Sequence, residues 1–414
     1  MRIAMITIGS TGDVYPYLLL GKELQRRGHD ITVCAFKNFR EDVEREGFRF
    51  APIDRDAREF MKQVLSRNKG GLDYLKNATT EISLLGKMLL DAVDLCVQDC
   101  DIAVSSFFAG LGAKIASKYH KKFVQTHFYP MDTNELAPIS SAKGFMFGPA
   151  YFRLSYKIGY LIINMVEKYY INKYKEEYDL EDTKLKTAPS YEINGKKYPV
   201  IYAISKYVFP HYEKWEDNIH VAGYFMDKSP VHYTPDPKLM QFIQNGDPPV
   251  YIGFGSMVSD KLQKYLSLTI KACQNVGVRA VVVQGWKNLE EKNYDNIYFA
   301  EAMPHNFIFK HVQAVIHHGG AGTFAAGLSN GKPTMVVPFG GDQPFSANRA
   351  YQLGIGPKPL ITELINVYTL SEKIRDLVDN EDYKINAMAL AEQVNKENGV
   401  VTAADIIEDY MHAD

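Results

Sequence analysis

Cysteine is scarce in this sequence. Four cysteines occur among 414 residues, and no two of them form the C-x-x-C pair that is typical of a zinc site. Four thiols in a chain of this length do not build a disulfide framework either. We therefore expect free thiols in a reducing compartment and predict a cytoplasmic protein. The four are Cys34, Cys96, Cys100 and Cys273.

Long apolar runs and a recognisable leader are also missing. No apolar stretch approaches the ~20 residues that a membrane-spanning helix requires, and the nearest one, Ile158–Val166, is interrupted by Asn164. The opening RIAMITIGS lacks the charged, apolar and small-residue order of a signal peptide. A formal net charge of −2 provides no positive field that would collect nucleic acid. We expect neither a membrane span nor a nucleic-acid partner.

The hydrophobic pattern predicts strands that alternate with helices, in two rounds. Ile3–Ile8 and Ile31–Phe36 are predicted strands, and Val14–Arg27 between them has apolar residues at helical spacing. Such β-α-β order is typical of a parallel sheet covered by helices. The same alternation continues through further predicted strands at Ile102–Ser105, Phe123–Thr126, Val250–Phe254, Arg279–Gln284, Ala314–Ile316 and Thr334–Val337.

The length predicts two domains, because 414 residues exceed what one hydrophobic core usually serves. Prolines and weak periodicity mark residues 216–247 as a linker. We predict a domain over 1–215 and a second over 248–395, each a doubly wound α/β layer. The default ligand site of such an architecture is the cleft between the domains.

A glycine-rich turn, His317–Thr323, follows one predicted strand and opens a helix. Glycines let backbone N–H groups approach a ligand closely, and a helix N-terminus contributes about half a positive charge. A diphosphate would sit well there, with His318 and Thr323 as further donors. A tight turn capped by Thr323 explains the same residues equally well.

Two further strand ends carry polar groups that could bind a ligand. Ser256 follows the strand Val250–Phe254 and could donate to a phosphate, although capping the next helix is the simpler interpretation. Asp342 and Gln343 follow Thr334–Val337 and could together accept from and donate to vicinal sugar hydroxyls. Asp before Gln-Pro is also an ordinary helix start.

The first strand ends in Gly9-Ser10-Thr11-Gly12-Asp13. The glycine spacing differs from G-x-G-x-x-G, and no acid follows the second strand to hold a ribose, so a dinucleotide site is disfavoured. Asp13 is either a helix cap or a general base for an acceptor hydroxyl. We expect the helix end to lower the pKa of Asp13, which would make it a weaker base.

Paired aspartates of the D-x-D type occur at Asp54/Asp56 and at Asp99/Asp101. Such pairs can hold a divalent metal with a sugar nucleotide. Neither pair lies where the glycine-rich turn would place the phosphates, so we interpret them as solvated loop residues. We expect no bound metal.

Residues 151–178 are unusually aromatic. A helical pair whose tyrosines pack on the sheet explains such a stretch, and an apolar acceptor pocket is the sharper interpretation. A weak peripheral membrane contact is a third.

These motifs resemble the small-molecule UDP-glycosyltransferases, in particular the sterol-type bacterial and fungal branch that is related to the glycosyltransferases of glycopeptide antibiotics. The run His317–Pro357 resembles the donor signature of that family, and Gly9–Tyr17 its amino-terminal loop. Tyr251–Met257 and Ile171–Lys173 are similar too. The matches span nearly the whole chain, with a variable gap between Arg55 and Val97.

The resemblance implies a GT-B fold, in which two Rossmann-like domains face a cleft and a C-terminal helix over 396–414 packs back on the first domain. It implies inverting transfer without a bound metal and without a cofactor beyond the nucleotide sugar. Asp13 matches the base position, and Asp342 and Gln343 match the pair that reads the sugar. The matching diphosphate-binding positions are Ser256, His318, Gly320, Ala321, Gly322 and Thr323.

The nucleobase site departs from the plant pattern. Ala326 stands where plant members carry the Glu that holds the ribose, and Ala302 where they carry the Trp that stacks on the base. Met303 falls where the family's backbone reads the base, and Trp286 is an alternative aromatic. These residues do not distinguish a uridine nucleotide from a thymidine nucleotide as the donor.

The predicted function is transfer of a hexose, glucose in the first instance, from a UDP-sugar to a hydroxyl of a sterol, terpenoid or polyphenol. Aromatic density between Phe107 and Tyr178 motivates the lipophilic acceptor, with Thr11, Phe107, His127 and Phe128 as pocket residues. A non-catalytic nucleotide-sugar-binding auxiliary protein is the alternative. A dinucleotide-dependent oxidoreductase is a third class.

Overall fold

A computed structural model gives the fold of the chain. It describes residues 1–57, 59, 71–106, 109–132, 134–139, 145–180, 184–186, 190–210, 215–228, 233–255, 260–283, 295–361 and 364–413.

The strands, numbered along the chain, are β1 Arg2–Ile6, β2 Asp30–Phe36, β3 Arg49–Ile53, β4 Ile102–Ser105, β5 Lys122–His127, β6 Leu185–Lys186, β7 Glu192–Ile193, β8 Lys196–Lys197, β9 Val200–Tyr202, β10 Ile219–Val221, β11 Val250–Gly253, β12 Ala280–Val283, β13 Ile297–Ala300, β14 Ala314–His317 and β15 Thr334–Val336. The α-helices are α1 Thr11–Arg26, α2 Arg40–Arg45, α3 Gly71–Gln98, α4 Ala109–Lys118, α5 Gly148–Tyr174, α6 Pro237–Gln244, α7 Asp260–Val276, α8 His305–Ile308, α9 Ala321–Ser329, α10 Gln343–Gln352, α11 Val367–Asp379, α12 Glu381–Lys396 and α13 Gly399–His412.

Contacts divide the chain into two compact units. Unit 1 comprises Met1–Thr133, Tyr156–Asp227 and Glu397–Asp414, and unit 2 comprises Asn134–Ser155 and Lys228–Lys396. The boundaries at 215, 247 and 395 stay a prediction, and they differ from this division over 134–155. The segment 216–247 also holds regular structure, namely β10 and α6.

Unit 1 is built on a parallel seven-stranded sheet in the order β10-β9-β5-β4-β1-β2-β3. The central strands are apolar on both faces, as the covering of a parallel sheet by helices requires, and Ala4 and Val33 are fully buried. The helix α13 packs on α1 through Arg27, whose guanidinium donates to Asp405 at 2.7 Å and to Glu408 at 2.6 Å.

Unit 2 is built on a parallel five-stranded sheet in the order β13-β12-β11-β14-β15. Side chains alternate across it with the period of two that a strand imposes. Val250 and Ile252 join one core cluster, whereas Tyr251 joins the cluster on the opposite face. The two predicted α/β layers are therefore confirmed.

The sequence missed the less regular elements. The strands β3, β9, β10 and β13 were not predicted, and the aromatic stretch forms the single helix α5 rather than a helical pair. Within the described residues no helix is long and apolar enough to cross a membrane. The four cysteines are free and buried.

Candidate functional site

The two sheets share one strand order, and it reverses at corresponding positions. In the first sheet the chain continues toward one edge after β1 and toward the other edge after β4. In the second sheet it likewise continues toward opposite edges after β11 and β14. Ligands of open α/β sheets bind beyond the carboxyl ends of the strands at such a reversal. The Gly9–Asp13 loop follows β1 and the His317–Thr323 turn follows β14, so each occupies the switch point of its own unit.

Asp13 lies in the first turn of α1, where Ser10 holds its carboxylate. The Ser10 N–H donates to Asp13 Oδ2 at 2.7 Å and the Ser10 hydroxyl donates to the same oxygen at 3.2 Å. This is the reciprocal cap of a helix start, with the acid three residues into the helix. A side chain at Gly9 would collide with this carboxylate, which explains the glycine. Both contacts use Oδ2.

The pKa of Asp13 corrects the expectation drawn from the sequence. We expected the helix end to lower it, whereas burial raises the pKa of Asp13 to about 6, and the two hydrogen bonds from Ser10 oppose that rise only in part. Desolvation disfavours the charged form more strongly than the cap favours it. A carboxylate with this pKa is ionised at neutral pH and is a stronger base than an ordinary aspartate.

A buried polar and aromatic layer lies behind Asp13. Thr7 Oγ1 donates to the Asp13 carbonyl at 2.9 Å. One helical turn further on, the Tyr17 hydroxyl is 2.5 Å from Thr126 Oγ1, and the Tyr17 ring meets Phe128 edge-on at 5.5 Å. Phe128 thus belongs to the layer that supports α1.

The other predicted acceptor residues lie in different environments. Thr11 is exposed at the start of α1. His127 is buried, and its Nε2 accepts from the Gln125 amide at 2.9 Å, so the proton of the neutral ring is on Nδ1. Burial lowers the pKa of His127 to about 3, and the ring is uncharged at neutral pH. Phe107 lies outside the described residues.

The glycine-rich turn of unit 2 leads directly into α9. Gly320 is the N-cap, and no side chain caps the helix. The first amides of a helix have no acceptor within it, so those of Ala321, Gly322 and Thr323 are available to an anion. Space is open beside Gly322, where an added Cβ would meet nothing within 4 Å. Thr323 is inside the helix, so it is not the cap.

His318 is enclosed by this turn. A Cβ on Gly255 would lie 2.9 Å from His318 Cε1, and one on Gly320 would lie 2.5 Å from His318 Nε2. Burial lowers the pKa of His318 to about 4, so the ring is neutral at physiological pH. It can therefore donate a hydrogen bond to a phosphate without carrying charge. Ser256, next to Gly255, lies outside the described residues.

The two ends of the predicted donor segment meet at Gly319. Its φ is +99°, and an added Cβ would lie 2.7 Å from Val336 Cγ1 and 3.1 Å from Gln343 Cβ. A side chain at this position would separate the turn from the start of α10. The glycine therefore brings the His317–Thr323 turn against the Asp342-Gln343 pair.

Gln343 has a structural task that its sequence position did not reveal. Its side-chain oxygen accepts from the Phe339 N–H at 2.6 Å and from the Gly340 N–H at 3.3 Å. That oxygen is committed to the loop after β15, and only the amide nitrogen could donate to a hydroxyl. Asp342, the N-cap of α10, makes no side-chain cap. If the pair reads a sugar as predicted, Gln343 would act as the donor and the Asp342 carboxylate as the acceptor.

The predicted nucleobase residues are only partly described. Met303 packs against the core cluster of Tyr251 between β13 and α8, and Ala326 packs on the same cluster from α9. Ala302 is exposed. Trp286 lies outside the described residues.

The aspartate pairs make ordinary surface contacts. Lys37 donates to Asp54 at 3.0 Å, and Asp101 accepts from the Arg2 N–H at 2.8 Å. In the described ranges no group of three or more His, Cys, Asp or Glu could hold a metal ion.

Two residues near the two turns, Ser10 and His305, were not singled out from the sequence. Ser10 holds the Asp13 carboxylate, and the S-x-x-D spacing of a capping box signals it. His305 stacks on Phe309 at 4.9 Å, and its Nε2 is 3.4 Å from the Tyr251 hydroxyl. Burial lowers the pKa of His305 to about 4. No local pattern marks His305, since Tyr251 reaches it from β11, which is distant in the sequence.

Comparison with known families finds two matches along the chain. Residues 3–125 match the glycosyltransferase family 28 N-terminal domain, and residues 277–408 match the erythromycin biosynthesis protein CIII-like C-terminal domain. The first covers the turn that holds Asp13 and the second covers the turn and helix that hold His318.

Curated relatives match the whole chain. The sterol 3-beta-glucosyltransferase UGT80B1 of Arabidopsis thaliana is 31% identical over 99% of this chain and 68% of its own length. The Arabidopsis enzyme UGT80A2, of the same name, is 30% identical over 97% of this chain and 64% of its own length. The sterol 3-beta-glucosyltransferase of Sclerotinia sclerotiorum is 31% identical over 98% of this chain. The chain spans 29% of that fungal protein.

Solved structures match the fold from end to end. The calicheamicin glycosyltransferase CalG4 superposes with a TM-score of 0.72 at 19% identity, covering 99% of this chain and 98% of its own. The glycosyltransferase SsfS6 of Streptomyces sp. SF2575, complexed with thymidine diphosphate, gives 0.65 at 18% identity and covers 99% of both chains. The predicted GT-B fold is confirmed.

Proposed function

Because the chain belongs to the glycosyltransferase family of the sterol 3-beta-glucosyltransferases, we propose that it transfers glucose from UDP-glucose to the hydroxyl of a sterol or a similar lipophilic alcohol. The three relatives of this name described above match 97–99% of the chain. The close approach of Gly319 to Gln343 is the observation that supports the proposal, since it brings the turn that we assign to the diphosphate against the pair that we assign to the sugar.

In the proposed reaction the donor is held by unit 2. The diphosphate lies at the N-terminus of α9, where the amides of Ala321 to Thr323 and the neutral His318 donate to it. The Asp342 carboxylate accepts from one sugar hydroxyl and the Gln343 amide donates to another. Ser256 is assigned to the diphosphate, and Met303 and Trp286 are assigned to the base.

Unit 1 supplies the base. Asp13 removes the proton of the acceptor hydroxyl while that oxygen forms a bond to the anomeric carbon. The bond from the anomeric carbon to the diphosphate breaks in the same step, and the leaving charge is stabilised by fixed backbone dipoles. One displacement inverts the anomeric configuration. Thr11 and Phe128, on and behind the same helix, are assigned to the acceptor pocket, with Phe107 and His127.

The nucleotide is proposed to be UDP, and thymidine diphosphate is the competitor. Thymidine diphosphate occupies the structural relative SsfS6. Neither alanine, Ala302 or Ala326, supplies a ribose or base contact that would decide between them.

Product mass spectrometry tests the proposal. The purified protein is incubated with UDP-glucose or TDP-glucose and a panel of sterols, terpenoids and flavonoids. The expected product is a hexosylated sterol. Its anomeric configuration, measured from the proton coupling constant, should be inverted relative to the donor. Donor binding by calorimetry without transfer to any acceptor would instead identify a non-catalytic nucleotide-sugar-binding protein.

A further inference from the structure

Glu167 is a buried acid that the proposed reaction does not use. It lies in α5 and is 7% exposed, and the Gly110 N–H donates to its Oε1 at 3.2 Å. Among the described residues no other donor reaches this carboxyl, and Oε2 accepts no hydrogen bond. Burial raises the pKa of Glu167 to about 7, and the bond from Gly110 opposes that rise only in part. Leaving a buried oxygen without a donor is costly, so Oε2 is a candidate acceptor for a group of a ligand.

The phenols beside Glu167 do not supply the missing donor. Burial, and after it the Glu167 carboxylate, raises the pKa of Tyr198, so the two groups lie close together. The Tyr198 hydroxyl nevertheless donates to Gln125 Oε1 at 3.2 Å. The hydroxyl of Tyr160, a second phenol on which the Glu167 charge acts, is 2.8 Å from that of Tyr191. Both phenols therefore have partners other than Glu167.

Gly110 makes room for the whole carboxyl group of Glu167. Its backbone does not have the left-handed φ that favours glycine. A side chain at this position would instead collide with Glu167 Oε2, and the other nearest atoms also belong to the Glu167 carboxyl. Capping the first turn of α4 needs a single acceptor oxygen. The glycine leaves space for both oxygens, so a cap explains only one of them.

Glu167 lies at the same end of the first sheet as the Asp13 turn. Ser105, the last residue of β4, is in register with Ile6 of β1 and with Gln125 of β5. The helix α4 follows β4 at this carboxyl end, and Glu167 meets the first turn of that helix. The loop that joins β4 to α4 holds a residue assigned above to the acceptor pocket. The free oxygen of Glu167 thus borders the part of unit 1 to which acceptor binding is assigned.

We propose that Glu167 binds a second polar group of the acceptor, a hydroxyl that lies away from the one that reacts. The inference rests on the proposed transfer and narrows its acceptor to a polycyclic alcohol with a further hydroxyl, such as a steroid diol. Glu167 Oε2 accepts from that hydroxyl, while Oε1 keeps the bond from Gly110. An acceptor that has no donor at this point leaves Oε2 buried without a partner, so the site discriminates against it.

Androstenediol and dehydroepiandrosterone test the inference, because they share one ring hydroxyl and differ at the far end of the steroid. The first carries a hydroxyl there, and the second carries a ketone, which accepts hydrogen bonds but cannot donate them. Binding of each to the full chain is measured by calorimetry at about pH 8, where a carboxyl with a pKa of about 7 is mostly ionised and can only accept. The unchanged protein should bind the diol about tenfold or more tightly than the ketone.

Glu167→Gln should remove that preference or reverse it. The amide keeps an oxygen for the Gly110 N–H, and its nitrogen can donate to the ketone. A residue that only capped α4 would change the melting temperature and leave the ratio of the two affinities as it was. The matched control is Glu177→Gln, the same change at an acid just beyond α5 whose side chain is 48% exposed. It is expected to keep the preference for the diol.

Gly110→Ala is a second variant, which leaves Glu167 itself in place. The added methyl group should displace the carboxyl, and alanine suits the first turn of a helix. This variant should also lose the preference for the diol. Circular dichroism shows whether each variant is folded.

The inference is overturned if the unchanged protein binds both steroids equally or binds neither. A preference for the diol that persists in both variants would overturn it too. Because calorimetry needs no turnover, failure of the inference and failure of the proposed reaction can be distinguished. Glucose transfer to both steroids alike would support the reaction without this role of Glu167. Discrimination without transfer would support the Glu167 site without the reaction.

Discussion

The Ser10 N–H donates to Asp13 Oδ2 at 2.7 Å, and the Ser10 hydroxyl approaches the same oxygen at 3.2 Å. One carboxylate oxygen is thus held by the start of α1. The other is the atom with which Asp13 would accept a proton. Burial raises the pKa of this carboxyl, and the cap keeps the rise moderate.

Replacing Asp13 by Asn should lower kcat by on the order of a thousandfold, because the amide keeps the shape and the cap but cannot accept the proton. The dissociation constant of UDP-glucose, measured by calorimetry, should not change. Near-normal turnover would remove Asp13 from the role of base.

The pH profile of kcat/KM should report Asp13. The carboxylate is the active form, so activity should be retained above a pKa of about 6 and fall about tenfold per pH unit below it. The pKa values of His127 and His318 are lowered to about 3 and about 4, so neither histidine should make activity change with pH near neutrality. A profile that stays flat down to pH 5 would contradict this assignment.

Ser10→Ala should shift the loss of activity at acid pH to a higher pH. The Ser10 hydroxyl hydrogen bond lowers the pKa of Asp13, so removing it should raise that pKa. It should also lower the free energy of unfolding by about 1 kcal/mol through loss of the helix cap. Ser10→Thr retains a hydroxyl and is the control. A purely structural Ser10 would change stability without shifting the pH at which activity is lost.

Two glycines offer a matched test of the diphosphate site. Gly322 and Gly12 each occupy the second position of a helix, and an added Cβ meets nothing within 3.4 Å at either. Alanine should therefore leave the melting temperature nearly unchanged at both. G322A should weaken UDP-glucose binding by about tenfold or more, since a methyl group would hold the diphosphate away from the amides. G12A should leave donor affinity as it is, and equal effects would argue against the site.

Gln343→Glu and Gln343→Ala separate the two tasks of this residue. Glutamate keeps an oxygen for the Phe339 and Gly340 amides but cannot donate, so KM for the donor should rise about tenfold with little loss of stability. Alanine leaves both amides without their acceptor and should also lower the melting temperature. An unchanged KM in Q343E would show that the amide nitrogen does not read the sugar.

Activity should survive EDTA, because the proposed site stabilises the leaving diphosphate with backbone dipoles instead of a cation. Product formation is measured before and after dialysis against the chelator. Activity that is lost and then restored by manganese would return Asp54/Asp56 and Asp99/Asp101 to consideration.

Much of the fold is readable from the sequence, because the central strands are buried on both faces and form continuous apolar runs. Ile102–Ser105 was predicted with the bounds that the structure gives. The edge strands β3, β10 and β13 were missed, since they are three to five residues long and only partly buried. Pairing with neighbouring strands determines their structure, and the local sequence does not indicate which strands become neighbours.

The sequence predicts the turns that form the candidate site, but it does not predict how their side chains are arranged. The glycines predicted close approaches, and the structure shows which atoms approach. Two facts follow only from the three-dimensional structure. The Gln343 side-chain oxygen accepts hydrogen bonds from its own loop, and burial raises the pKa of Asp13. Both depend on residues brought together by the tertiary fold.

The return of Glu397–Asp414 to unit 1 sets an order for synthesis. Arg27 and His29 leave the ribosome early, yet their partners Asp405 and Glu408 emerge only after nearly all of unit 2. Unit 2 can therefore complete its contacts before unit 1 does, because the segment with α13, which unit 1 needs, follows unit 2 in the chain.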